Sequence, residues 1–446
     1  MVKIYMVSLG CDKNLVDTEV MLGILAKNSQ YELTDDENEA EVIIVNTCCF
    51  IGDAKEESIQ TLIEMGQLKE TGKAKALIAT GCLAQRYSKE IREQLPEVDA
   101  IIGTLSIDSI ERAVNDVLTG KNRDYMEDID RKPVVGKQVL TTGGHYAYLK
   151  IAEGCDKRCT YCVIPKVRGN YRSVPMEELV NQASSLALGG VKELILVAQE
   201  TTLYGRDLYG EKKLPELLDK LCEIAGIEWI RLMYCYPEEI TDELIAVMKR
   251  QKKICHYLDL PIQHASDNVL KSMGRRTSRE AFLERISYIR KEIPDICLRT
   301  SLIAGFPGET DEDVDILVDF IKEVRFDRLG CFTYSREEDT VAYAMKGQIP
   351  EREKKKRRAR VMETQQQIAF DIGSAMVGKV CDAFVEGEIP NEADPDTRCY
   401  VARTYRDAPG VDGYVFVNSN RQLMSGDIVR VQITGQNDYD LIGTEL

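Results

Sequence analysis

The sequence predicts an α/β protein built from an open parallel α/β sheet domain, a partial (β/α)6 barrel and a small antiparallel β-barrel. Two patterns indicate this: strand-like and helix-like segments alternate over residues 1–120 and 146–345, and short β-rich segments occupy 377–446. We expect a charged linker at 121–145 and a connecting helix at 346–376. A chain of 446 residues is long enough for several separate cores.

Each part follows from its own strand pattern. In the first, "IYMVSLG", "EVIIVNT", "KALIATG" and "VDAIIGT" alternate with helical segments, as in a parallel sheet covered by helices. The second has six strand candidates, too few for a closed eight-stranded barrel: "YAYLKIAE", "ELILVAQ", "WIRLMYC", "HYLDLPI", "CLRTSLIAG" and "LGCFTYS". Five short strands with turn residues between them predict the final barrel.

Composition narrows the class of protein. No apolar run is long enough to span a membrane, and the N-terminus lacks the pattern of a signal peptide, so we expect a cytoplasmic protein without a membrane partner. Its 14 cysteines are then better explained by metal or cluster binding than by disulfides. The net charge of −16 disfavours non-specific attraction to nucleic acid.

Three cysteines, Cys155, Cys159 and Cys162, lie at C-x₃-C-x₂-C spacing in "EGCDKRCTYCVIPKVRG". Soft thiolates at this spacing favour an iron–sulfur cluster or zinc. Zinc normally takes four protein ligands, and this run supplies three. A [4Fe–4S] cluster held by three cysteines leaves one iron open to a small molecule, and the run follows the first barrel strand, where active-site loops lie. Zinc binding and simple packing remain as alternatives.

The run "CDKRCTYC" resembles the signature of radical S-adenosylmethionine (SAM) enzymes. In that family SAM chelates the open iron, and its reductive cleavage gives a 5′-deoxyadenosyl radical that abstracts hydrogen from an unactivated carbon. The resemblance assigns Cys155, Cys159 and Cys162 to the catalytic cluster. It also places Tyr161 at an aromatic position near the adenine, although an aromatic ring that packs beside the loop explains Tyr161 equally well.

Three further cysteines, Cys11, Cys48 and Cys82, each follow a predicted strand of the first domain. If the strands are parallel neighbours, the three thiols meet at the carboxyl edge of one sheet, where ligands bind in open α/β folds. They would then hold a second cluster, again with one iron unclaimed. The alternative is three small buried residues at strand ends. Cys49 is left out, because it would point to the opposite face of the sheet.

Together the three parts resemble the methylthiotransferases over nearly the whole chain. The resemblance implies two [4Fe–4S] clusters, use of SAM for both methyl transfer and radical formation, and a C-terminal TRAM-like barrel that contacts substrate. An electron donor and a sulfur source are required, and the sequence identifies neither. "FTYSREEDT" departs from the family by carrying Asp339 where glycine is usual.

Other residues are assigned to the cofactor site by their place after barrel strands. Gly305 and Pro307 in "GFPGET" allow close approach of the backbone to SAM, although a plain β–α turn explains them as well. Gln199 and Thr201 follow the second strand, and we expect their side chains to contact the cofactor or the substrate. The basic run Lys354–Arg360 is interpreted as a solvated helix face rather than a nucleic-acid site.

Methylthiotransferases modify either an adenosine of tRNA or an aspartate of a small-subunit ribosomal protein. From Lys379 onward the chain has six basic and twelve acidic residues, a charge that repels RNA and suits a basic protein. "SLGCDKNLVDTE" and "YLDLPIQHAS" also resemble the ribosomal-protein branch. We therefore expect methylthio insertion at the β-carbon of an aspartate in ribosomal protein twelve of the small subunit, with nucleic acid not the primary partner.

Three alternatives remain at this point. A tRNA-adenosine methylthiotransferase would share the clusters but bind tRNA in a salt-dependent manner. A non-catalytic iron–sulfur carrier would not cleave SAM. A zinc-binding interaction module would be colourless when purified without air.

Overall fold

The computed structural model describes residues 1–390 and 397–446 of the chain. Its first domain has a six-stranded sheet of β1 Val2–Ser8, β2 Tyr31–Leu33, β3 Val42–Thr47, β4 Ala76–Thr80, β5 Ala100–Ile102 and β6 Asp124–Tyr125. Five helices cover it: α1 Asp12–Leu25, α2 Gly52–Thr71, α3 Gly81–Arg86, α4 Ser88–Gln94 and α5 Ile110–Leu118. No helix in the described ranges is long and apolar enough to cross a membrane.

The first sheet has the strand order β2-β1-β3-β4-β5-β6, and every neighbouring pair is parallel. All six residues of β3 are buried, because helices cover both faces of the sheet and leave no solvated side for polar residues. The predicted open parallel sheet is confirmed. Its edge strand β6 comes from segment 121–145, which then runs across α1, where Val139 N donates to Glu19 O at 3.0 Å.

The central domain is a six-stranded parallel sheet with the order β14-β13-β12-β11-β10-β7. Its strands are β7 Tyr146–Lys150, β10 Glu193–Val197, β11 Trp229–Leu232, β12 Ile254–Gln263, β13 Cys297–Ala304 and β14 Arg328–Thr333, and a small hairpin pairs β8 Ala152–Glu153 with β9 Arg172–Ser173. The edges β7 and β14 do not pair, so the predicted partial barrel is confirmed.

Helices follow the barrel strands on the outer face. They are α6 Ile164–Val167, α7 Met176–Leu188, α8 Arg206–Tyr209, α9 Leu214–Cys222, α10 Asp242–Arg250, α11 Asp267–Ser272, α12 Arg279–Glu292 and α13 Asp311–Val324. A capping box between Thr310 and Asp313 starts α13, which explains why the turn after β13 becomes a helix at this point. The long helix α14 Glu351–Ser374 packs on α13 and β14 and leads to the last domain.

The last domain is a closed barrel of β15 Val380–Ile389, β16 Arg398–Thr404, β17 Val415–Ser419, β18 Ile428–Asn437 and β19 Asp440–Glu445. The expectation of an antiparallel barrel is corrected in one respect, since β17 and β19 pair in parallel. A ring of five strands cannot alternate direction at every step, so at least one parallel pair is unavoidable.

The β16–β17 connection, residues 405–414, lies against the amino-terminal halves of the central strands and closes the floor of the partial barrel. Arg231 Nη1 donates to Tyr405 O at 2.6 Å, and Tyr257 OH donates to Asp412 Oδ2 at 2.7 Å. Ala408 joins the apolar core of the inner sheet face. The opposite, carboxyl-terminal ends of the strands are left as the mouth, where sites of barrel enzymes lie.

Candidate active site

Three thiols of the first domain lie at the carboxyl edge of adjacent strands. Cys11 begins α1 after β1, Cys48 follows β3, and Cys82 is in the first turn of α3 after β4. Gly10 has a positive φ of 90°, and a Cβ on it would lie 2.8 Å from the Cys48 sulfur. Only glycine therefore lets the Cys11 segment approach Cys48 this closely.

Burial favours the protonated form of Cys48 and Cys82 in the absence of a metal. Burial, together with a smaller effect of the neighbouring Cys82 and Cys11, raises the pKa of Cys48 to about 12. Burial also raises the pKa of Cys82, whereas the guanidinium of Arg168 acts in the opposite direction. Thiols in such surroundings become thiolates only beside a strong positive charge such as iron.

The second set of thiols lies in the loop between β8 and α6, at the mouth of the barrel. Cys155 and Cys159 are each 7% exposed. Cys155 N donates to Gly169 O at 3.1 Å, and Thr160 N donates to Met273 O at 3.0 Å, which fixes the loop to the end of α11. Burial raises the pKa of Cys155 to about 12 and the pKa of Cys162 well above its ordinary value.

Both sets suit a cluster better than a single ion. Within residues 1–390 and 397–446, no three histidine, cysteine, aspartate or glutamate side chains are arranged to hold one metal ion. An iron–sulfur cluster distributes its ligands over several irons and so does not need them to converge on one point. Three thiols in each set fit that chemistry, and all of them are buried except the exposed Cys11 and the half-buried Cys162.

A buried network of charges connects α1, which follows Cys11, with residues on either side of the barrel cysteines. Lys150 Nζ lies 2.8 Å from Glu153 Oε2 and also pairs with Asp17 on α1. Arg168 Nη1 lies 2.6 Å from Asp17 Oδ2 and 3.2 Å from Glu153 Oε2. Burial opposes ionisation of Glu153, but Lys150 and Arg168 outweigh it and hold the pKa of Glu153 at about 2. Two cations and two anions thus balance in the interior.

Two predicted cofactor residues flank a carboxyl group that sequence reasoning missed. Glu200 is fully buried; its Oε1 accepts from Thr202 N at 3.0 Å, and burial raises its pKa to about 7. Its Oε2 and the Oε1 of Gln199 have no hydrogen-bond partner among the described residues. Thr201 Oγ1 donates to Met233 O at 2.6 Å, so its hydroxyl proton is already engaged. Unpartnered buried acceptors indicate room for a donor or cation.

The remaining predicted cofactor residues are close to one another across the mouth. The Tyr161 ring meets Phe306 edge to face, with centroids 6.4 Å apart, which joins the cysteine loop to the segment of Gly305 and buried Pro307. A Cβ on Gly305 would lie 2.3 Å from Cγ of Lys354. Packing against α14 therefore already requires glycine at 305, whatever ligand binds nearby.

Two members of the basic run point inward, which corrects the expectation of a solvated helix face in part, since the other four cations of the run are exposed. Lys354 is 3% exposed, and its Nζ donates to Tyr334 O at 2.8 Å. Arg357 Nη1 donates to Glu309 Oε1 at 3.0 Å. These residues support the loop after β13, and a run of cations on a helix does not by itself show which of them find buried acceptors.

Comparison with known proteins identifies all three domains. The model of the radical SAM superfamily matches residues 149–321, that of uncharacterized protein family UPF0004 matches 3–103, and that of the TRAM domain matches 377–445. The ribosomal protein uS12 methylthiotransferase RimO of Lachnoclostridium phytofermentans is 58% identical, over 99% of both chains. The protein of that name in Clostridioides difficile is 48% identical, over 100% of this chain and 99% of its own.

The chain belongs to the RimO family. It is a radical SAM methylthiotransferase, as its sequence predicted, and RimO-family membership implies iron–sulfur clusters and SAM. Among solved structures, the radical SAM methyltransferase TsrM from Kitasatospora setae aligns with a TM-score of 0.56 at 13% identity, over 88% of this chain and 81% of its own. That likeness concerns the fold alone.

Proposed function

We propose that the chain inserts a methylthio group at the β-carbon of an aspartate in the small-subunit ribosomal protein uS12. One structural observation carries the proposal: the buried ion pairs of Arg168 join α1, which follows Cys11, to Glu153, which lies two residues before Cys155. The substrate is the one for which relatives that match nearly the full length of this chain are named. Sulfur handling and carbon activation must act on one substrate atom, which requires such adjacency.

Two [4Fe–4S] clusters are part of the proposal. Cys155, Cys159 and Cys162 would hold one, and Cys11, Cys48 and Cys82 the other, each with one iron free of protein ligands. When the two clusters and SAM are bound, they would supply one-electron chemistry. That chemistry replaces a hydrogen on an unactivated carbon by sulfur. The protein supplies the thiols, the buried surroundings and the charge balance that keep the site dry.

Residues at the mouth would position SAM. The unpartnered Oε2 of Glu200 is suited to a cationic group, and the unpartnered Oε1 of Gln199 to a donor. Tyr161, held by Phe306, offers an apolar ring for a base. Thr201 supports this loop through its bond to Met233, and Gly305 and Pro307 shape the facing loop.

The charge of the last barrel supports a basic protein substrate over RNA. Four of its six basic residues pair with carboxylates: Arg398 with Glu388, Arg403 with Glu193, Arg406 with Asp327 and Arg421 with Glu445. Asp382 and Asp438 are exposed without an ion pair in the described part of the barrel. Glu392, Asp394 and Asp396, counted in the predicted charge, lie outside the described residues.

One experiment tests both chemistry and substrate. Anaerobically reconstituted protein receives reductant, sulfide and SAM, with uS12 and unmodified tRNA in the same tube. Mass spectrometry then locates the added methylthio group. We expect it on one aspartate of uS12; a group found on tRNA instead would keep the chemistry and overturn the substrate.

A further inference from the structure

Lys13 is a largely buried side chain whose ammonium group has no anionic partner among residues 1–390 and 397–446. It is 6% exposed in the first turn of α1, and its Nζ lies 3.2 Å from the ring centroid of Tyr234. No hydrogen-bond acceptor or carboxylate among the described residues pairs with it. The other two buried lysines differ in this respect, since Lys150 binds Asp17 and Glu153, and Lys354 binds Glu351.

An ammonium group that is partly shielded from water and has no anion beside it destabilises a fold. Contact with an aromatic face offsets only part of the lost hydration of an ammonium group. The arrangement at Lys13 therefore becomes favourable when an anion enters the site and completes the pair. Within the protein, the nearby carboxylates are already engaged: Asp12 Oδ2 accepts from Tyr234 OH at 3.1 Å, and Asp259 Oδ1 from Arg299 at 2.7 Å.

Lys13 lies where the first domain meets the mouth of the barrel. It is two residues after Cys11, while Tyr234 follows β11 at the mouth of the barrel. Tyr234 has a φ of 58°, a left-handed conformation that is strained for a tyrosine, and its N donates to Asp259 Oδ2 at 3.1 Å. Tyr234 is thus fixed at its hydroxyl by Asp12 and at its backbone by Asp259.

We propose that Lys13 binds the side-chain carboxylate of the target aspartate and selects that residue as substrate. This inference rests on the proposed function. The β-carbon that receives sulfur is bonded directly to this carboxylate, so a salt bridge to Lys13 fixes the position of its C–H bonds beside Cys11. A neutral side chain of the same shape would leave the ammonium unpaired.

The test measures binding and substrate choice separately. Enzyme with both clusters and SAM is titrated anaerobically with a uS12 peptide that contains the target aspartate, and with the same peptide carrying asparagine. Wild type should bind the aspartate peptide about tenfold or more tightly than the asparagine peptide. Lys13→Met should bind both alike, at the asparagine level, and Lys13→Arg should keep most of the preference.

Lys55→Met is the matched control, because Lys55 also stands over a tyrosine, Tyr87, in the same domain but far less buried. It should behave as wild type. Lys13→Met removes an unpaired buried charge, so it should fold, which unchanged iron content and thermal stability would verify.

Retained preference for aspartate in Lys13→Met would overturn the inference. The inference would also fail if Lys13→Met kept the preference for aspartate but bound SAM more weakly or changed the electron paramagnetic resonance spectrum of the clusters. The ammonium group would then interact with a cofactor instead of the substrate. If wild type modifies uS12 but binds both peptides equally, the role given to Lys13 is wrong and the proposed function stands. If wild type modifies no uS12, the proposed function fails and this inference with it.

Discussion

Arg168 Nη1 lies 2.6 Å from Asp17 Oδ2 and links the loop after the barrel cysteines to the first helix of the N-terminal domain. Arg168 is 1% exposed and also pairs with Glu153 at 3.2 Å. Its guanidinium also opposes the rise in the pKa of Cys82, so the same side chain acts on one of the first-domain thiols. Like Lys150, Arg168 thus links α1 of the first domain to Glu153 of the barrel.

Removal of this cation should destabilise the protein strongly. Arg168→Met leaves Asp17 and Glu153 with only Lys150, and loss of one partner from a buried network costs about 3–5 kcal/mol. Thermal unfolding of the ligand-free protein measures the loss. Arg360→Met is the control, because its pair with Asp315 is largely exposed and should contribute no more than about 1 kcal/mol. Equal shifts in the two variants would contradict the role of the network.

The two cysteine sets should have separable functions. Replacement of Cys155, Cys159 or Cys162 by alanine should abolish formation of 5′-deoxyadenosine. Replacement of Cys11, Cys48 or Cys82 should leave that cleavage intact and stop methylthio insertion. Chromatography of the nucleoside product and mass spectrometry of uS12 give the two readouts.

Cys49→Ala is the control for the cysteine variants. Cys49 adjoins Cys48 and is fully buried, but it faces the apolar core of the first domain. Both activities should survive this change. Methylthio insertion that persists without Cys48 would contradict the assignment of a second cluster.

Glu200 should give the ligand-free protein a distinctive pH dependence. Burial raises its pKa from 4.5 to about 7, so the folded state holds this proton more tightly than the unfolded chain. The resulting stability is present below pH 4.5 and is lost as the pH rises through 7. Glu200→Gln has no group to ionise at this position. Its free energy of unfolding, relative to that of wild type, should therefore rise by about 3 kcal/mol between pH 5 and pH 8.

Urea midpoints across this pH range measure that difference. Glu363→Gln, an exposed position on α14, should track wild type throughout. A Glu200→Gln curve parallel to wild type would show that Glu200 has an ordinary pKa in the folded protein.

The last barrel should detach when its main ion pairs are broken. Glu193 is fully buried between Arg231 and Arg403 and accepts from them at 2.8 Å each. Glu193→Gln leaves two buried guanidinium groups without an anion between them, at a cost of about 3 kcal/mol or more. Faster proteolysis between α14 and β15 should report this, whereas Arg398→Met, which breaks an exposed pair, should not change the rate.

Local sequence patterns predicted most of the fold and the placement of the cysteines. Alternation of strands and helices implied parallel sheets, and cysteines at strand ends implied thiols at one edge, because both follow from backbone geometry. The network around Arg168 was not predictable, since Asp17, Glu153 and Arg168 come from distant segments. Glu200 was missed between Gln199 and Thr201, because only the burial of its carboxyl group distinguishes it.

The floor of the barrel has a consequence for biosynthesis. Residues 405–414 lie near the end of the chain, so a nascent chain emerges with its central strands made and the polar groups of Arg231 and Tyr257 still hydrated. The catalytic domain reaches its final form only when the C-terminal barrel has been translated. Premature termination before β16 therefore removes more than a substrate contact: it leaves the catalytic domain itself unfinished.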